Sequence, residues 1–524
     1  MTHDYLIIGA GPAGLQLASL LERDGEDYVV LERGSGPGTF FTRFPRHRFL
    51  ISNNKVHTGY DDPELRLRMD WNSLLSDDPE LLFTRYSPRY FPPADDLVRY
   101  LSDFAARTGV RVRYDTEVTR VSKHGEGFAV TDGTGKVWRA RHLVVASGMP
   151  VPNLPAIPGV ELAERYDTIE TDPQSFTDQR VLIIGRGNSA FETAENLMET
   201  AAVIHLVGSG SLKMAWRTHY VGHLRAVYNN FLDSYQLKSQ NALLDGRVLA
   251  IRRDQDGFHV PVAFERVDEV VKEIRYDRVI VATGFRFDAS VFDDTCAPDL
   301  IVDGRFPELT PLGESVNVPG LYFAGTLMQG RSFGKATTGF IHGFRYAVRA
   351  LYRGLRQRHA GVPWPTTVIG DSTERAVDAV ISRVNRSSAL WQQFAVLGDL
   401  LLLAPDGTFR YAEEVPVDHA PGAVRAGEFG EVEAYAVVTL EYGEDHDRVD
   451  PFDVGAGRKS QQDVSGLDGR YLHPVVRWYR DGEFVADHHL TENLENEWDS
   501  EEVHRAPLAA FLTARRGQAA PVAP

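Results

Sequence analysis

The chain is 524 residues long, too much for one simple domain, and its length predicts two to four domains. Apolar residues make up 43% and charged residues 25%, the balance of an ordinary globular protein. The net charge of −17 would repel a polyanion, so nucleic-acid binding is not expected, and the one cysteine, Cys296, excludes a disulfide or a CxxC pair within the chain.

Residues 5–33 show the pattern of a strand, a tight turn, a helix and a second strand. The turn reads Gly9-Ala10-Gly11-Pro12-Ala13-Gly14, and Glu32 ends the second strand. The first glycine permits the turn, the second lets the backbone approach a pyrophosphate, and the third allows close helix–strand packing. A carboxylate at Glu32 can accept hydrogen bonds from ribose hydroxyls. All parts are in register, so the segment predicts a dinucleotide site.

The stretch from Gly36 to about Ser87 contains many turn residues and few periodic runs, which predicts loops over a site. An amphipathic helix is expected at 94–106 and several short strands at 110–146. Gly148 then opens a proline-rich connector, and prolines at that density favour a stiff linker out of the first domain.

A second strand–turn–helix–strand unit follows the connector. Its turn reads Gly185-Arg186-Gly187-Asn188-Ser189-Ala190, in which alanine replaces the third glycine. The next strand ends without an Asp or Glu at the ribose position, and Ser209, Lys213 and Arg217 come after it. A missing acid with cations nearby suits the 2′-phosphate of NADPH better than a free hydroxyl. The alternative is that Lys213 and Arg217 form a solvated basic patch.

Two later segments are predicted to belong to the same domain as the first fingerprint. The strand that ends in Gly284 repeats the strand end at Gly148, and we take the pair as the two crossings between domains. An apolar strand then ends in Gly325-Thr326, and a glycine-rich loop leads through Thr338-Gly339 into a predicted helix. Helix N-termini stabilise anions, and a reduced flavin is anionic at its pyrimidine end, so this helix start is a candidate flavin ligand. The alternative is plain helix capping by Thr338.

The last part of the chain lacks a nucleotide fingerprint, and helices are expected near 373–403. The fold class predicted is α/β, with two Rossmann-like dinucleotide-binding domains, the NADP domain inserted in the FAD domain, and a C-terminal α+β extension. The bounds are 1–155 and 276–355 for the FAD-binding domain, 156–275 for the NADP-binding domain, 356–515 for the extension and 516–524 for a disordered tail. We expect the extension to cover the site or to make a homo-oligomer contact.

FAD and NADPH together define an electron-transfer pair, because hydride moves from the nicotinamide to the flavin, which then performs the second half-reaction. His219 and His223 have a spacing that can hold zinc, but no third ligand accompanies them, so no metal is expected. The apolar run 400–404 is far shorter than the roughly 20 residues of a membrane span, and no secretory signal precedes the first strand. We therefore expect a cytoplasmic protein with no membrane partner.

Several longer strings are similar to those of a known flavoprotein family. They are Phe40-Phe41-Thr42-Arg43, Asp70-Trp71-Asn72-Ser73, Gly185 through Asn196, Thr218-His219-Tyr220-Val221-Gly222 and Gly339 through Tyr346. The order of fingerprints and strand ends resembles the flavin-containing monooxygenase superfamily. The strings resemble, more specifically, the family of FAD-dependent oxidoreductase domain-containing protein 2, over most of residues 4–400.

The resemblance implies an oxygenase site. Ser52-Asn53-Asn54-Lys55 resembles the Ser-Asn-x-x-Lys stretch of the monooxygenases, where the Asn contacts the flavin near the carbon that binds oxygen. Asn53 is therefore the candidate catalytic residue that stabilises a C4a-(hydro)peroxyflavin, and Asn54 is its rival. An amide suits the role because it offers two N–H donors and no titratable proton. The alternative is that both asparagines shape a turn.

The residues assigned to cofactor binding are those of the two fingerprints and strand ends, with polar and cationic residues near them. They are Gly9, Gly11, Pro12, Ala13, Gly14, Glu32, Arg33, Arg43, Lys55, Gly148, Gly185, Gly187, Asn188, Ser189, Ala190, Ser209, Lys213, Arg217, Gly284, Gly325, Thr326, Thr338 and Gly339.

Three functions are compatible with these signals. An NADPH-dependent monooxygenase that uses dioxygen and a small-molecule substrate is the leading interpretation. The alternatives are a flavoprotein reductase or oxidase that passes electrons to a partner protein or to oxygen, and a non-catalytic scaffold that binds FAD and NADPH. The monooxygenases carry an FxGxxxH-type signature between the fingerprints, and residues 160–168 lack it, which bears on the oxygenase chemistry and not on the cofactors.

Overall fold

The computed structural model describes residues 2–236, 241–267, 270–458, 460, 462 and 470–517. Within these residues the chain is a mixed α/β protein with three sheets of six or more strands and two two-stranded pairs. The last helix is Ala506–Arg516, so most of the predicted disordered tail, residues 518–524, lies outside the described residues.

The first sheet contains the first fingerprint. Its strands are, in spatial order, Val112–Arg113, Tyr28–Leu31, Thr2–Ile8, Val137–Val145, Gly127–Asp132 and Val118–His124, with Leu321–Phe323 paired to Val137–Val145. The strands around Thr2–Ile8 are parallel and buried on both faces, so Tyr28–Leu31 is apolar at every position.

The second sheet contains the second fingerprint. Its strands are, in spatial order, Arg252–Asp254, Gly257–Phe264, Ala242–Val248, Val203–Gly208, Arg180–Ile184, Arg278–Val281 and Glu164–Arg165, with Val271–Tyr276 paired to Gly257–Phe264. Arg278–Val281 belongs to this sheet although it follows residue 275, where we placed the end of the inserted domain. The two crossings pair with each other, Val151–Pro152 against Phe285–Arg286.

The third sheet lies in the extension and is antiparallel. Its strands are, in spatial order, Thr366–Gly370, Phe409–Pro416, Leu397–Leu403, Ala434–Glu441, His473–Arg480 and Glu483–His489. The prediction of helices near 373–403 was wrong at its end: helices Thr373–Arg386 and Ser388–Gln392 form, but Leu397–Leu403 is a strand. All seven residues of that strand are buried, which is why its leucine run shows no helical face.

The remaining elements are helices and one short pair of strands. They are helices Pro12–Arg23, Thr39–Arg43, Pro63–Met69, Ala94–Thr108, Asn188–Leu197, Ala215–Thr218, Asn229–Gln236, Ile341–Ala360 and Ala420–Arg425, and strands Leu300–Ile301 and Phe306–Pro307.

The helix Ile341–Ala360, called the long helix below, begins later than predicted. Phe340 takes the N-cap position, and no side chain caps it. Thr338 does not cap the helix, because its buried hydroxyl donates to Gln393 Oε1 at 3.1 Å. The residue predicted as a cap therefore fastens the loop before the helix to the extension.

The long helix also joins the first sheet to the third. Arg349 Nε donates to Glu414 Oε2 at 2.7 Å, and Arg353 Nη1 donates to the same oxygen at 3.2 Å. Glu414 lies in the strand Phe409–Pro416 and is 2% exposed. A buried carboxylate of this kind needs its counter-ions, so the helix and the extension depend on each other.

Candidate functional site

A cavity of about 1280 Å³, called the cofactor cavity below, is lined by residues of the first and second sheets. Gly9 and Gly11 line it from one fingerprint, and Gly185 and Gly187 from the other. Both turns follow the carboxyl ends of parallel strands, where open α/β sheets bind their ligands.

Two of the three glycines of the first fingerprint lie where the surrounding chain leaves no room for a side chain. A Cβ on Gly9, whose φ is 103°, would lie 2.8 Å from the carbonyl oxygen of Ala146, and a Cβ on Gly14 would collide with the carbonyl oxygen of Gly9. The Cβ position of Gly11 has no atom of the described chain within 4 Å. Because Gly11 lines the cavity, this opening is the free approach that a pyrophosphate at a helix N-terminus requires.

Glu32 is fixed at the edge of the cofactor cavity. Its Oε2 accepts a hydrogen bond from Ala10 N–H at 2.8 Å, and its Oε1 accepts from Gly34 N–H and the Thr39 hydroxyl, each at 2.9 Å. A carboxylate has about four acceptor sites, so capacity remains for a ribose hydroxyl. The carboxylate is therefore pre-oriented by backbone groups before any ligand binds.

The second fingerprint is tied by its side chains to a loop of the same sheet. Asn188 Nδ2 donates to His223 O at 2.9 Å, and Asn188 Oδ1 accepts from Arg225 N–H at 2.9 Å. Arg225 in turn donates from Nη2 to Asn53 Oδ1 at 3.1 Å. The fingerprint therefore positions a loop that lines the cavity with His223 and Arg225.

Arg186, the variable residue of the second Gly-x-Gly, is a site residue that the sequence reasoning missed. Its Nη1 donates to Gly208 O at 3.0 Å and Gly210 O at 2.7 Å and pairs with Asp245 at 2.7 Å. The Nε of Arg186 is buried and, within the part of the chain described, has no hydrogen-bond partner. The guanidinium therefore stands where the first unit has Glu32, at the end of the second strand.

Ser209, Lys213 and Arg217 follow the strand Val203–Gly208 in sequence, but their side chains lie in different places. Lys213 lines the cofactor cavity and is exposed, whereas Ser209 is exposed and lines neither that cavity nor a second one described below. Arg217 lines only the second cavity, because its Nε donates to Asp447 O of the extension at 3.2 Å. Arg217 therefore does not line the cofactor cavity, and its assignment to the 2′-phosphate stays a prediction. Arg186 and Lys213 are the cations near this strand end that line the cofactor cavity.

The start of the long helix forms another wall of the cofactor cavity, with His342 as its unusual residue. His342 is 2% exposed, and neither ring nitrogen has a hydrogen-bond partner among the described residues. Its ring stacks on Trp71 with centroids 4.2 Å apart. Burial, and then the guanidinium groups of Arg345 and Arg225, hold the pKa of His342 well below its usual range. The imidazole is therefore neutral, and both of its ring nitrogens are buried and unpaired within the described residues.

The loop that carries Trp71 is held by a buried arginine. Arg345 is fully buried and donates to Leu67 O at 2.7 Å, Asp70 O at 3.0 Å and Ser73 O at 2.8 Å. The Asp70 carboxylate accepts from the N–H groups of Asn72 and Ser73, at 3.0 and 2.9 Å. These bonds fix Trp71 and Asn72 on the cavity wall.

Asn53, Asn54 and Lys55 do not line the cofactor cavity. Asn53 accepts from Arg225, Asn54 Nδ2 donates to Ser87 O at 2.7 Å and Arg89 O at 3.0 Å, and Lys55 is exposed. Among the amide side chains that line the cavity is the buried Asn72, whose Oδ1 accepts from the Ser52 hydroxyl at 2.5 Å. The catalytic role of Asn53 or Asn54 stays a prediction, and Asn72 is the asparagine of this region that lines the cavity.

The other assigned cofactor residues divide by whether they line the cofactor cavity. Those that do are Gly9, Gly11, Pro12, Ala13, Glu32, Arg33, Gly148, Gly185, Gly187, Asn188, Ser189, Lys213, Gly284, Thr326 and Gly339. Those that do not are Gly14, Arg43, Lys55, Ala190, Ser209, Arg217, Gly325 and Thr338. Arg43 instead donates to Asp167 O at 2.6 Å, and Gly14, Ala190 and Gly325 serve packing.

The search for a metal centre found no cluster of three or more His, Cys, Asp or Glu in the described residues. No helix in the same residues is long and apolar enough to cross a membrane.

Comparison with known proteins identifies similar sequences over nearly the whole chain. Residues 6–325 match the family model described as pyridine nucleotide-disulphide oxidoreductase. The chain is 40% identical to FAD-dependent oxidoreductase domain-containing protein 2 of Mus musculus over 556 residues, which cover 97% of this chain and 83% of the mouse protein.

Monooxygenases are also among the similar proteins. A flavin-containing monooxygenase of Arabidopsis thaliana is 29% identical over 39% of this chain and 50% of its own length. The solved flavin-containing monooxygenase from Stenotrophomonas maltophilia has a TM-score of 0.53 and 22% identity, and covers 69% of this chain and 99% of its own. The second likeness shows that the fold is shared.

Proposed function

Since this chain belongs to the pyridine nucleotide-disulphide oxidoreductase family, and to that of FAD-dependent oxidoreductase domain-containing protein 2, we propose that it is an NADPH-using flavin monooxygenase. The family makes the chain an FAD-dependent oxidoreductase. NADPH, dioxygen and a small-molecule substrate are the parts that we propose.

One observation carries the proposal: both fingerprints open onto the same cavity. Gly11 and Gly187, the second glycines of the two fingerprints, both have open space at their Cβ positions and line the cavity from opposite sheets. Two dinucleotides bound there would have their pyrophosphates at two helix starts and their reactive rings in the space between. Bringing the two rings together is the first requirement of hydride transfer.

The first half of the cavity fits FAD. Gly11 leaves room for the pyrophosphate, Glu32 offers its carboxylate to the ribose, and His342 offers two unpaired ring nitrogens on the far wall. Bound FAD would supply the redox chemistry that these side chains lack. The chain's own contribution is to hold the ring between the loop with Trp71 and Asn72 and the start of the long helix.

The second half of the cavity fits NADPH better than NADH. Arg186 is anchored at the strand end, its buried Nε is unpaired within the described residues, and Lys213 lies on the same cavity. Guanidinium and ammonium groups form charge-assisted hydrogen bonds with a phosphate, and the nearby carboxylate of Asp245 is already paired with Arg186.

The proposal is tested in two steps on the purified holoenzyme. Mixing with NADPH without oxygen should bleach the flavin absorbance, and NADH should do so more slowly. Air and a panel of thioethers, amines and ketones should then give a product heavier by one oxygen atom for each NADPH consumed. A flavin that NADPH does not bleach would make the chain a scaffold, and hydrogen peroxide in place of product would make it an oxidase.

A second candidate, a flavoprotein reductase, is favoured by the missing FxGxxxH-type signature at 160–168, where the chain forms the short strand Glu164–Arg165. Such an enzyme could not use a thiol relay of its own, because its one cysteine, Cys296, is buried at 1% exposure. The reductase would therefore pass electrons directly to a small acceptor or to a partner's disulfide. Turnover of NADPH with a quinone or a disulfide in the absence of oxygen would identify it.

A further inference from the structure

A second cavity, of about 770 Å³, lies where three parts of the chain meet. One wall is the segment 211–218, another is the loop 331–338 with the long helix, and the third is the extension, at 394–397, 416–418 and 442–447. Its volume is within the range of about 300–1,000 Å³ that drug-sized ligands occupy.

The second cavity borders the cofactor cavity. Lys213, His223, Gly334 and Lys335 line both cavities. The loop 331–340 is the partition: Ser332, Ala336 and Thr338 line the second cavity, whereas Phe333, Gly339 and Phe340 line the cofactor cavity. Because four residues line both cavities, a molecule in the second cavity would adjoin the cofactor cavity at the edge of this loop.

The interior of the second cavity is apolar and aromatic. Its lining includes Trp216, Met328, Leu351, Phe394, Val396 and Tyr442. Every Lys, Arg, Asp and Glu that lines it is exposed, so the charged groups lie at its rim. Arg331 and Asp418, both on that rim, pair with each other. A buried charge in the interior would find no counter-ion in the described residues, which excludes a charged ligand there.

The partition contributes a pair of buried hydroxyl groups to the lining of the second cavity. The hydroxyls of Ser332 and Thr338, both buried, lie 3.1 Å apart and form one hydrogen bond between them. Because Thr338 donates its one proton to Gln393, Ser332 donates to Thr338, and the lone pairs that remain on the two oxygens can accept a hydrogen bond from one group of a ligand. The cavity therefore favours an uncharged, largely aromatic molecule with one polar group turned toward the cofactors.

The second cavity depends on the extension, which is part of the match to FAD-dependent oxidoreductase domain-containing protein 2, the narrower of the two families. Its extension wall includes Tyr442, whose ring stacks at 4.2 Å on His219, the residue that follows the wall segment 211–218. The match to the broad family model ends at residue 325, before the extension begins, whereas the match to the mouse protein covers 97% of the chain. The wall that the extension supplies therefore distinguishes this narrower family from the broad one.

We propose that the second cavity binds the third reactant, an uncharged aromatic molecule that receives either an oxygen atom or a pair of electrons from the cofactor side. The proposal rests on the proposed function, in which two dinucleotides fill the cofactor cavity and the acceptor needs a space of its own. A thioether in the site would take one atom of dioxygen, the other leaving as water with two electrons from NADPH and two protons. A quinone would take two electrons and two protons.

The test reduces the volume of the second cavity by placing larger side chains on its extension wall. Val396→Trp and Val417→Trp each add an indole at a residue that lines the second cavity and not the cofactor cavity. Val368→Trp is the matched control, because Val368 lies in the extension strand Thr366–Gly370 and is 69% exposed. Calorimetry on the oxidised holoenzyme measures binding of menadione and of thioanisole, and flavin absorbance checks that each variant retains FAD.

The expected result is that wild type and Val368→Trp bind at least one probe alike, and that both filled variants bind it at least about tenfold more weakly. Benzoate, a charged probe, should not bind the wild-type site. The proposal is overturned if wild type binds neither uncharged probe, or if filling leaves its affinity unchanged.

A wild-type measurement decides the matter if both filled variants lose FAD. Crystals soaked with bromonaphthalene should show a bromine anomalous peak beside Ala350 and Val396, and a bromine signal only at other sites would refute the proposal. The proposed function fails separately, when NADPH does not bleach the flavin of a protein that binds the probes.

Discussion

The two fingerprint turns occupy equivalent places in their sheets, and their first glycines do the same work. Gly9 and Gly185 both have positive φ, of 103° and 138°, and each lies against the carbonyl of the next parallel strand, at Ala146 and Ala282. The turns differ at the third position, where Gly14 has no room for a Cβ and Ala190 carries one while fully buried. The second helix therefore stands slightly farther from its turn.

A larger difference lies seven residues after the first glycine of each fingerprint, at Gln16 in the first unit and Glu192 in the second. Gln16 exchanges two hydrogen bonds with the backbone of Leu75, at 3.1 and 2.6 Å, and carries no charge. Glu192 accepts from the Tyr166 hydroxyl at 2.8 Å and from His47 N–H at 3.2 Å. The spacing of small residues thus determines the shape of each turn. The buried side chain on the following helix determines which other segment of the chain that helix is hydrogen-bonded to.

Exchanging the third residues should have the largest and most asymmetric effect. Gly14→Ala places a Cβ onto the carbonyl oxygen of Gly9, and overpacking of this kind costs about 1–3 kcal/mol and shifts the turn that faces FAD. We expect a purified protein without FAD and with a lower Tm. Ala190→Gly should cost only about 1 kcal/mol of helix propensity and keep the flavin.

Flavin absorbance per mole of protein and thermal unfolding measure both variants. Retention of FAD by Gly14→Ala would show that the first turn can widen as the second has done.

Removing the cations at the second strand end should have the next largest effect. Loss of one charge-assisted contact to the 2′-phosphate costs about 1.5–3 kcal/mol, so Arg186→Ala and Lys213→Ala should each lower kcat/KM for NADPH about 10- to 100-fold and leave NADH nearly unchanged. Arg217→Ala is the control, since Arg217 lies on the second cavity.

Anaerobic flavin reduction with each nucleotide gives the ratios. Loss of NADPH preference in Arg217→Ala alone would restore the assignment made from the sequence.

Glu192→Gln gives the second helix the residue type of the first. Burial raises the pKa of Glu192 to about 7, against the hydrogen bonds from Tyr166 and His47 that lower it. Because the folded pKa lies above the unfolded value of about 4.3, the protonated carboxyl stabilises the fold below that value, and the stabilisation is lost as pH rises through 7. We expect wild type to lose about 1–3 kcal/mol between pH 4.5 and 8.5 relative to the variant.

Urea unfolding of both proteins at the two pH values measures this difference. Equal pH dependence in the two proteins would mean that Glu192 is ionised throughout.

The smallest effect is expected at His342, which neither fingerprint contains. His342→Phe removes a neutral hydrogen bond to the flavin, about 0.5–1.5 kcal/mol, which corresponds to a shift of about 10–30 mV in a two-electron potential. His342→Gln should restore the wild-type potential. His142→Gln is the control, because burial also lowers the pKa of His142, to about 4, but His142 lies outside the cofactor cavity.

Because His342 is neutral, the flavin spectrum of wild type should show no inflection attributable to this residue between pH 6 and 8. A potential that does not move in His342→Phe would mean that the ring contacts something other than the flavin.

The sequence was sufficient where the physics is local. The two turns, Glu32 and the long helix follow from steric rules that act over a few residues, and the fold class with its Rossmann-like units is confirmed by the solved relatives. Domain bounds and residue roles stay predictions.

The sequence was insufficient where a side chain is directed by contacts distant in the chain. Arg217 follows the second strand closely, yet the short helix Ala215–Thr218 presents it to Asp447 of the extension. Arg186 occupies the middle position of Gly-x-Gly, where the motif specifies no residue type, and the direction of its side chain depends on the ion pair with Asp245. Asn72 lines the cofactor cavity and Asn53 does not, because Arg345 and Asp70 hold the loop that carries Asn72. None of these contacts has a sequence signature.

The shared carboxylate of Glu414 constrains how this protein can have evolved. An extension that docked before the long helix carried Arg349 and Arg353 would have buried Glu414 without its counter-ions, and an unpaired buried charge of this kind costs about 3–5 kcal/mol. The extension and the two arginines must therefore have been acquired together, or in steps that kept the charges balanced. A shortened transcript that omits the third sheet would encode a chain that proteases remove, and a chimera would succeed only if it inherited both sides of this contact.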